Sequence, residues 1–384
     1  MIKQDIPKIR FYSYQGSWTE KRIADIVKIS AGGDVDRVKL KESGKYPVIA
    51  NTLTNKGIVG FYEDYKVKAP AVTVTGRGDV GYAVARHENF TPIVRLLTLQ
   101  SEKIDVDYLE NQINSMRILN ESTGVPQLTA PQLGNYKVYY PEIEEQSAIG
   151  FLFRTLDDLL ASYKDNLTNY QSLKETMLSK MFPKTEQTVP EIRLDGFEGE
   201  WEVVNLGTLI DNYDEIISGE SGFPIATSSR KGLYLQNDYF EGGRTGIDLT
   251  LDFHRVPMGY VTYRHMSDDS IFKFNKNNFE TDVLVSKEYP VFISNGSSDI
   301  DFLLYHLNNS RLFLRFSTMQ KLGGTRVRLH YKNLITYKLA VPTIKEQQAI
   351  GAYFSNLDNL INSHQEKISQ FETLKKKLLQ DMFI

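Results

Sequence analysis

The residues with most chemistry to offer are cations set among glycines. Asn55-Lys56-Gly57, Gly76-Arg77-Gly78-Asp79, Gly242-Gly243-Arg244 and Gly323-Gly324-Thr325-Arg326 each carry a lysine or arginine into a turn-forming loop. Glycine lets the backbone approach a ligand closely, and a guanidinium fork matches the O6/N7 edge of guanine. Taken singly, most loops of this type are solvated hairpin turns. Gly81-Tyr82-xxx-Arg86-His87 reappears as Gly259-Tyr260-xxx-Arg264-His265, which puts strand-borne arginines suited to phosphate or base contact in both parts of the chain. The candidate DNA contacts are Lys56, Arg77 and Arg86 in the first part, and Arg230, Lys231, Arg244, Arg264 and Arg326 in the second. His87 and His265 have no nucleophile or metal-ligand neighbour and are expected to be hydrogen-bonded scaffold residues.

Other chemistries are poorly supplied. Gly76-Arg77-Gly78-Asp79-Val80-Gly81 formally matches GxGxxG, with Glu102 where a ribose-binding acid belongs. The residues that follow, Tyr82 to Arg86, alternate as a strand, so no helix N-terminus is expected to hold a pyrophosphate, and strand-turn-strand is the reading. There are no cysteines, which removes thiolate ligands and thiol nucleophiles together, and the six histidines show no HExxH spacing. GxxxxGK[ST], GxSxG and [DNS]PPY motifs are missing. No catalytic residue, cofactor or metal site is expected.

The elements that would carry the candidate residues are short strands. Ala71 to Thr75, Tyr82 to Arg86, Val261 to Arg264 and Val291 to Ser294 have strand patterns. These lie in two segments, from about Thr19 to Pro131 and from about Glu202 to Lys332, that share little sequence. The segments around them are repeated. Residues 141–182 recur without a gap 201 positions later as 342–383, with 17 identities in 42 positions. The opening Pro7 to Trp18 (PKIRFYSYQGSW) recurs as Pro190 to Trp201 (PEIRLDGFEGEW) at an offset of 183, so the second variable module is longer by 18 residues.

The repeated segments have helical periodicity. Ile149, Leu156, Tyr163, Tyr170 and Met177 step by seven beside Phe153, Leu160, Leu167, Lys174 and Met181. Ile350, Leu357, His364, Phe371 and Leu378 do the same beside Phe354, Ile361, Ile368, Lys375 and Met382. About 38 residues at roughly 1.5 Å each give a rod of roughly 57 Å. Internal duplication favours a pseudo-two-fold, antiparallel pairing of the two rods, which would act as a ruler. Heptads alone also fit a dimerisation stalk without any metric role. At 384 residues, 41% hydrophobic and 24% charged, the chain is expected to be soluble and cytoplasmic, with no membrane span and no signal sequence. A net charge of −3 offers no global basic field, so nucleic acid would have to be met by local patches or by a partner's charge.

The repeated frame resembles the specificity subunit of bacterial type I restriction-modification systems. The resemblance covers nearly the whole chain and rests on three pieces that occur twice in the same order. These are the P-[KE]-I-R…G-x-W opening; the module exit Leu128…Leu133…Tyr136…Pro141, matched by Leu329…Leu334…Tyr337…Pro342, which runs into Glu145-Gln146-x-Ala148-Ile149 and Glu346-Gln347-x-Ala349-Ile350; and the helices ending Met181-Phe182 and Met382-Phe383. One departure is Tyr12-Ser13-Tyr14 in the first opening where the second has Asp195-Gly196-Phe197.

The resemblance implies an α+β chain of two mixed, strand-rich target-recognition domains separated by two long helices that form an antiparallel coiled coil. Residues 1–140 and 184–341 would be the recognition domains, and 141–183 and 342–384 the spacer helices. It implies a non-catalytic subunit reading the two halves of an asymmetric site on double-stranded DNA. Two modification subunits would bring S-adenosylmethionine and adenine methylation, and restriction subunits ATP-driven translocation and cleavage. Two readers on one duplex face would sit about one helical turn, roughly 34 Å, apart. The competing readings are a self-contained DNA methyltransferase, disfavoured by the missing motifs, and a coiled-coil adaptor that reads no DNA.

Overall fold

The longest elements follow from uninterrupted sequence. Ile143–Lys180 and Ile344–Asp381 are each helices of 38 residues, entered just after Pro141 and Pro342 and free of internal proline. In the computed structural model, residues 6–116, 118, 127–239, 248–321 and 326–384 are described. They form two compact units, residues 1–166 with 364–384 and residues 167–363, and each long helix gives its first part to one unit and its last part to the other.

Within each unit the two helices pack antiparallel. In the first unit Phe153 meets Phe383, Asp157 pairs with Lys375 at 2.5 Å, Tyr163 packs at a tilt against Phe371, and Lys164 pairs with Glu372 at 2.7 Å. In the second, Lys174 pairs with Asp358, and Phe182 stacks on Phe354 with ring centroids 6.1 Å apart. Partners therefore climb along one helix as they descend along the other. The seam heptads read from sequence are buried where a module also covers them, at Ile149, Phe153, Leu156 and Leu160 and at Ile350, Phe354, Leu357 and Ile361. Further along, from Tyr163 to Met177 and from His364 to Leu378, they are half-buried, and Met181 and Met382 at the far ends are buried again. Lys174 and Lys375 occupy seam positions and are neutralised there by an aspartate of the facing helix.

The repeated motifs become a repeated set of bonds. Arg10 clamps Glu145 through Nε and Nη2 at 2.6 and 2.7 Å and also donates to the Gly16 carbonyl. Arg193 does the same to Glu346, at 2.7 Å twice, and to the Gly199 carbonyl. The next residue in each helix, Gln146 or Gln347, accepts from the backbone N–H of Asp105 or Asp299 at 3.0 Å and donates to Pro141 or Pro342 at 2.9 Å. Those aspartates cap Val106–Ser115 and Ile300–Asn309, the module helices that lie on the long helices. The approach is so close that a Cβ added to Gly150 or Gly351 would stand 2.6 Å from the capping carboxylate, which explains the one glycine kept in each long helix. Trp18 packs edge-on against Tyr108, and Trp201 against Phe302. Phe383 and Phe182, after the helix ends, complete those two clusters.

Each module is then closed into its frame by a strand pair. Thr19–Arg22 runs antiparallel to Lys137–Tyr140, and Glu202–Asn205 to Lys338–Val341. Inside, despite dissimilar sequences, both modules hold a four-stranded antiparallel sheet of the same order. In the first, Lys28–Ala31, Leu97–Gln100, Ala71–Val74 and Ala83–Arg86 are neighbours in turn; in the second, Ile210–Tyr213, Val291–Ser294, Val261–Tyr263 and Phe274–Lys276. The additional three-stranded sheets differ. Tyr46–Ile49 includes a parallel pairing with Thr91–Pro92, whereas Ile216–Ser218, Asp252–Val256 and Val283–Ser286 are antiparallel throughout. In the second module a helix, Arg311–Met319, follows Ile300–Asn309 directly.

Candidate nucleic-acid interface

Strand-turn-strand is what surrounds the glycine-rich loop of the first module. Ala71–Val74 and Ala83–Arg86 pair antiparallel, with Val74 opposite Ala83, and the turn is tied by Gly81 N–H to the Thr75 carbonyl and by Tyr82 N–H to Thr75 Oγ1. Arg77 sits half-buried on this turn, in an antiparallel bridge opposite Gln127. Asn51 joins the turn to the neighbouring loop, accepting from Gly76 N–H at 2.7 Å and donating to the Val94 carbonyl at 2.6 Å.

Lys56 lies on that neighbouring loop, exposed and with left-handed backbone (φ +49°) between Asn55 (φ +48°) and Gly57 (φ +85°). Its carbonyl accepts from Arg86 Nη2 at 2.7 Å, while Arg86 Nε donates to Thr73 Oγ1 at 2.9 Å. Arg86 thus braces the loop that presents Lys56. Burial pulls its pKa down to about 10, against the opposing charge of Glu110. The structure brings the loops of Lys56 and Arg77 beside the strand that carries Arg86, but Arg86 has already committed part of its fork within the module.

In the second module two sequence-adjacent aspartates organise the cations. Arg230 meets Asp269 through both guanidinium nitrogens, at 2.8 and 2.5 Å, and holds its carboxyl down to about 2. Arg326 donates to Asp268 at 2.8 Å. Exposed Lys231 follows Arg230, and exposed Arg264 follows the strand Val261–Tyr263. Beyond it, Met266–Ser267 pairs with Val327–Arg328, and Arg328 is exposed opposite Met266. Arg230, Arg264, Arg326 and this ribbon are therefore neighbours. Arg244, with Gly242 and Gly243, and Gly323, Gly324 and Thr325 lie outside the described residues.

Two expectations need correction. His87 bonds Asp107 Oδ1 at 2.8 Å, as a scaffold histidine should. His265 is buried and stacked on His330, but its Nδ1 has no partner among the described residues; burial first, then His330, Arg328 and Arg264, lower its pKa. The second concerns the recurring Gly-Tyr-xxx-Arg-His. Arg86 ends an edge strand, whereas Arg264 follows a strand lying between two others, so the motif occupies non-equivalent places in the shared sheet. Its recurrence carries no common geometry. Sequence reasoning also passed over Gln127, Arg328 and Asn51. The first two stand immediately before the repeated Leu128 and Leu329, a signal that was available.

Among the described residues no helix is long and apolar enough to cross a membrane, and no group of His, Asp and Glu side chains is disposed to hold a metal ion. What the geometry defines is a pair of polar, arginine-bearing modules mounted on one repeated helical frame. The chain belongs to the family of type I restriction modification DNA specificity domains, whose model matches residues 15–169 and 232–373. It is 24% identical over 282 residues to a putative type I restriction enzyme specificity subunit of Methanocaldococcus jannaschii, covering 68% of this chain and 61% of the relative. It is 22% identical over 402 residues to the type I restriction enzyme MjaVIII specificity subunit of the same organism, covering 94% and 91%. Its fold is that of the S subunit of a type I restriction-modification system from M. genitalium, with a TM-score of 0.66 at 14% identity over 99% of both chains.

Proposed function

We propose that this chain is a non-catalytic subunit that reads the two halves of an asymmetric site on double-stranded DNA and directs the chemistry of a type I restriction-modification complex in the cytoplasm. Residues 1–140 and 184–341 act as the two readers, and 141–183 and 342–384 as the spacer that sets their separation. Two modification subunits supply S-adenosylmethionine-dependent methylation, and restriction subunits supply ATP-driven translocation and cleavage. The observation that carries this reading is one frame, repeated bond for bond, around two modules that share a sheet order but differ in their exposed side chains. A duplicated frame with divergent inserts is what two different half-sites require.

Lys56, Arg77, Lys231 and Arg264 are offered to DNA directly. Arg230 and Arg326 are presented through Asp268 and Asp269, and Arg86 supports Lys56 from behind. With a net charge of −3, much of the phosphate neutralisation falls to the partner subunits, and with it the salt dependence of binding. The test is reconstitution. Purified chain alone should neither bind S-adenosylmethionine nor methylate DNA, and with its modification subunits it should give methylation at one bipartite sequence. Methylation by the chain alone, or a complex without sequence preference, contradicts the reading.

A further inference from the structure

A single short bridge is built identically in the two modules. In the first, Leu128 N–H donates to the Gly76 carbonyl at 2.9 Å and Arg77 lies opposite Gln127. In the second, Leu329 N–H donates to the His265 carbonyl at 2.9 Å and Met266 lies opposite Arg328. Gln127 and Arg328 are also related by the 201-residue offset of the repeated exit, so sequence and hydrogen bonding align them independently. The leucine that follows each is buried, at 5% and 0% exposure, which anchors the strand and leaves its neighbour facing outward.

Both side chains are exposed, and among the described residues neither makes a hydrogen bond or ion pair. They differ in chemistry at a place where the backbone does not. Arginine offers a fork to guanine O6/N7, and glutamine pairs an acceptor and a donor with adenine N6/N7. In both modules the bridge leads off an inner strand of the shared four-stranded sheet, so its position is rigid while its side chains are free to vary. A rigid backbone bearing an interchangeable polar tip is the requirement for direct readout, since a base edge is discriminated only if the donor arrives at a fixed place.

We propose that Gln127 and Arg328 are equivalent specificity-determining positions, Gln127 reading an adenine in the half-site of the first module and Arg328 a guanine in that of the second. This rests on the DNA-reading function proposed above. Their cross-strand neighbours, Arg77 and Met266, flank the same base step and complete the difference between the modules.

The test uses the full chain assembled with its modification subunits, a duplex pool randomised across both half-sites, and sequencing of the methylated products. Arg328→Ala should lower the preference for guanine at one position of one half-site by about 5- to 150-fold and leave the other half-site unchanged. Arg328→Gln should move that preference to adenine. Arg328→Lys, which keeps the charge but not the fork, should retain binding to mixed-sequence DNA while losing the discrimination. Gln127→Ala should relax one adenine position in the opposite half-site. Uniform weakening of all sequences, marking a phosphate contact, or unchanged specificity in the Arg328 and Gln127 variants overturns the assignment while leaving the DNA-reading function intact. An unsubstituted complex with no preference at any position would overturn both.

Discussion

Arg10 and Arg193 grip the same glutamate of their long helices through the same guanidinium nitrogens, whereas at the matching bridge of the two modules Gln127 stands where the other has Arg328. Frame and modules thus repeat at different levels: the frame in its side-chain bonds, the modules in strand order and in one backbone bridge. The lesson is where sequence freedom lies. A buried charge pair or a glycine pressed against a capping carboxylate resists any single replacement, while an exposed side chain on a shared ribbon can be exchanged without disturbing its backbone.

The largest expected effect breaks the frame. Glu145 and Glu346 have side chains only 2% and 1% exposed, so Arg10→Ala or Arg193→Ala leaves a buried carboxylate unpaired. Each should cost about 3 to 5 kcal/mol in unfolding free energy, measured by urea titration, and the two costs should match. Replacing Arg193 and Glu346 together by methionine should recover most of the loss. Unequal losses at the two arginines would show that the frame is not one design used twice.

The module helices sharpen the comparison through pH. Within Val106–Ser115, burial pushes Glu110 up to about 7, reinforced by Asp157 and opposed by Lys375; the matching position in Ile300–Asn309 is Leu304. A carboxyl with a raised folded pKa holds its proton more tightly when folded, so its contribution declines as pH rises from about 4.5 to 7, by up to about 3 kcal/mol. In the second module, burial lowers His306 to about 4, where the first has Gln112. An imidazole with a depressed folded pKa acts in the opposite sense, and its contribution grows as pH rises from about 4 to 6.5. Glu110→Leu should flatten the decline and His306→Gln the rise, each read from unfolding free energies at pH 4.5, 6 and 8. Slopes unchanged by both substitutions would sink this account of the helices.

Smaller effects belong to the seam. Lys174 and Lys375 pair with Asp358 and Asp157 while remaining about a quarter exposed, so truncation to alanine should cost only about 1 kcal/mol each. Their larger role is register, because a charged seam residue tolerates only the alignment that supplies its aspartate. Lys174→Leu with Lys375→Leu should keep or raise the melting temperature yet broaden the distribution of spacer lengths methylated by the assembled complex. A spacer length as sharp as before would assign register to the apolar seam alone.

Much of the frame was legible because its signals are local or repeated. The heptads, the helix starts after Pro141 and Pro342 and the alternating strands needed only short-range periodicity, and the Glu-Gln pairs were visible as repeats before their bonding was known. The shared sheet order was hidden, since antiparallel strands constrain only which face is buried and any suitable apolar residue serves. The candidate site was legible only as a list. That Arg86 would turn inward to the Lys56 carbonyl, or Arg230 find Asp269 39 residues on, depends on tertiary proximity that no spacing encodes. The Gly-Tyr-xxx-Arg-His recurrence misled for the same reason, being a likeness of residues without a likeness of place.

The central claim is that one frame holds two exchangeable readers. Its most direct measurement replaces residues 19–131 by the corresponding module of another specificity subunit and sequences the methylated bases made by the assembled complex. One half of the bipartite site should change, with the other half and the spacing between them retained. A site unchanged in both halves, or changed in both, would contradict it.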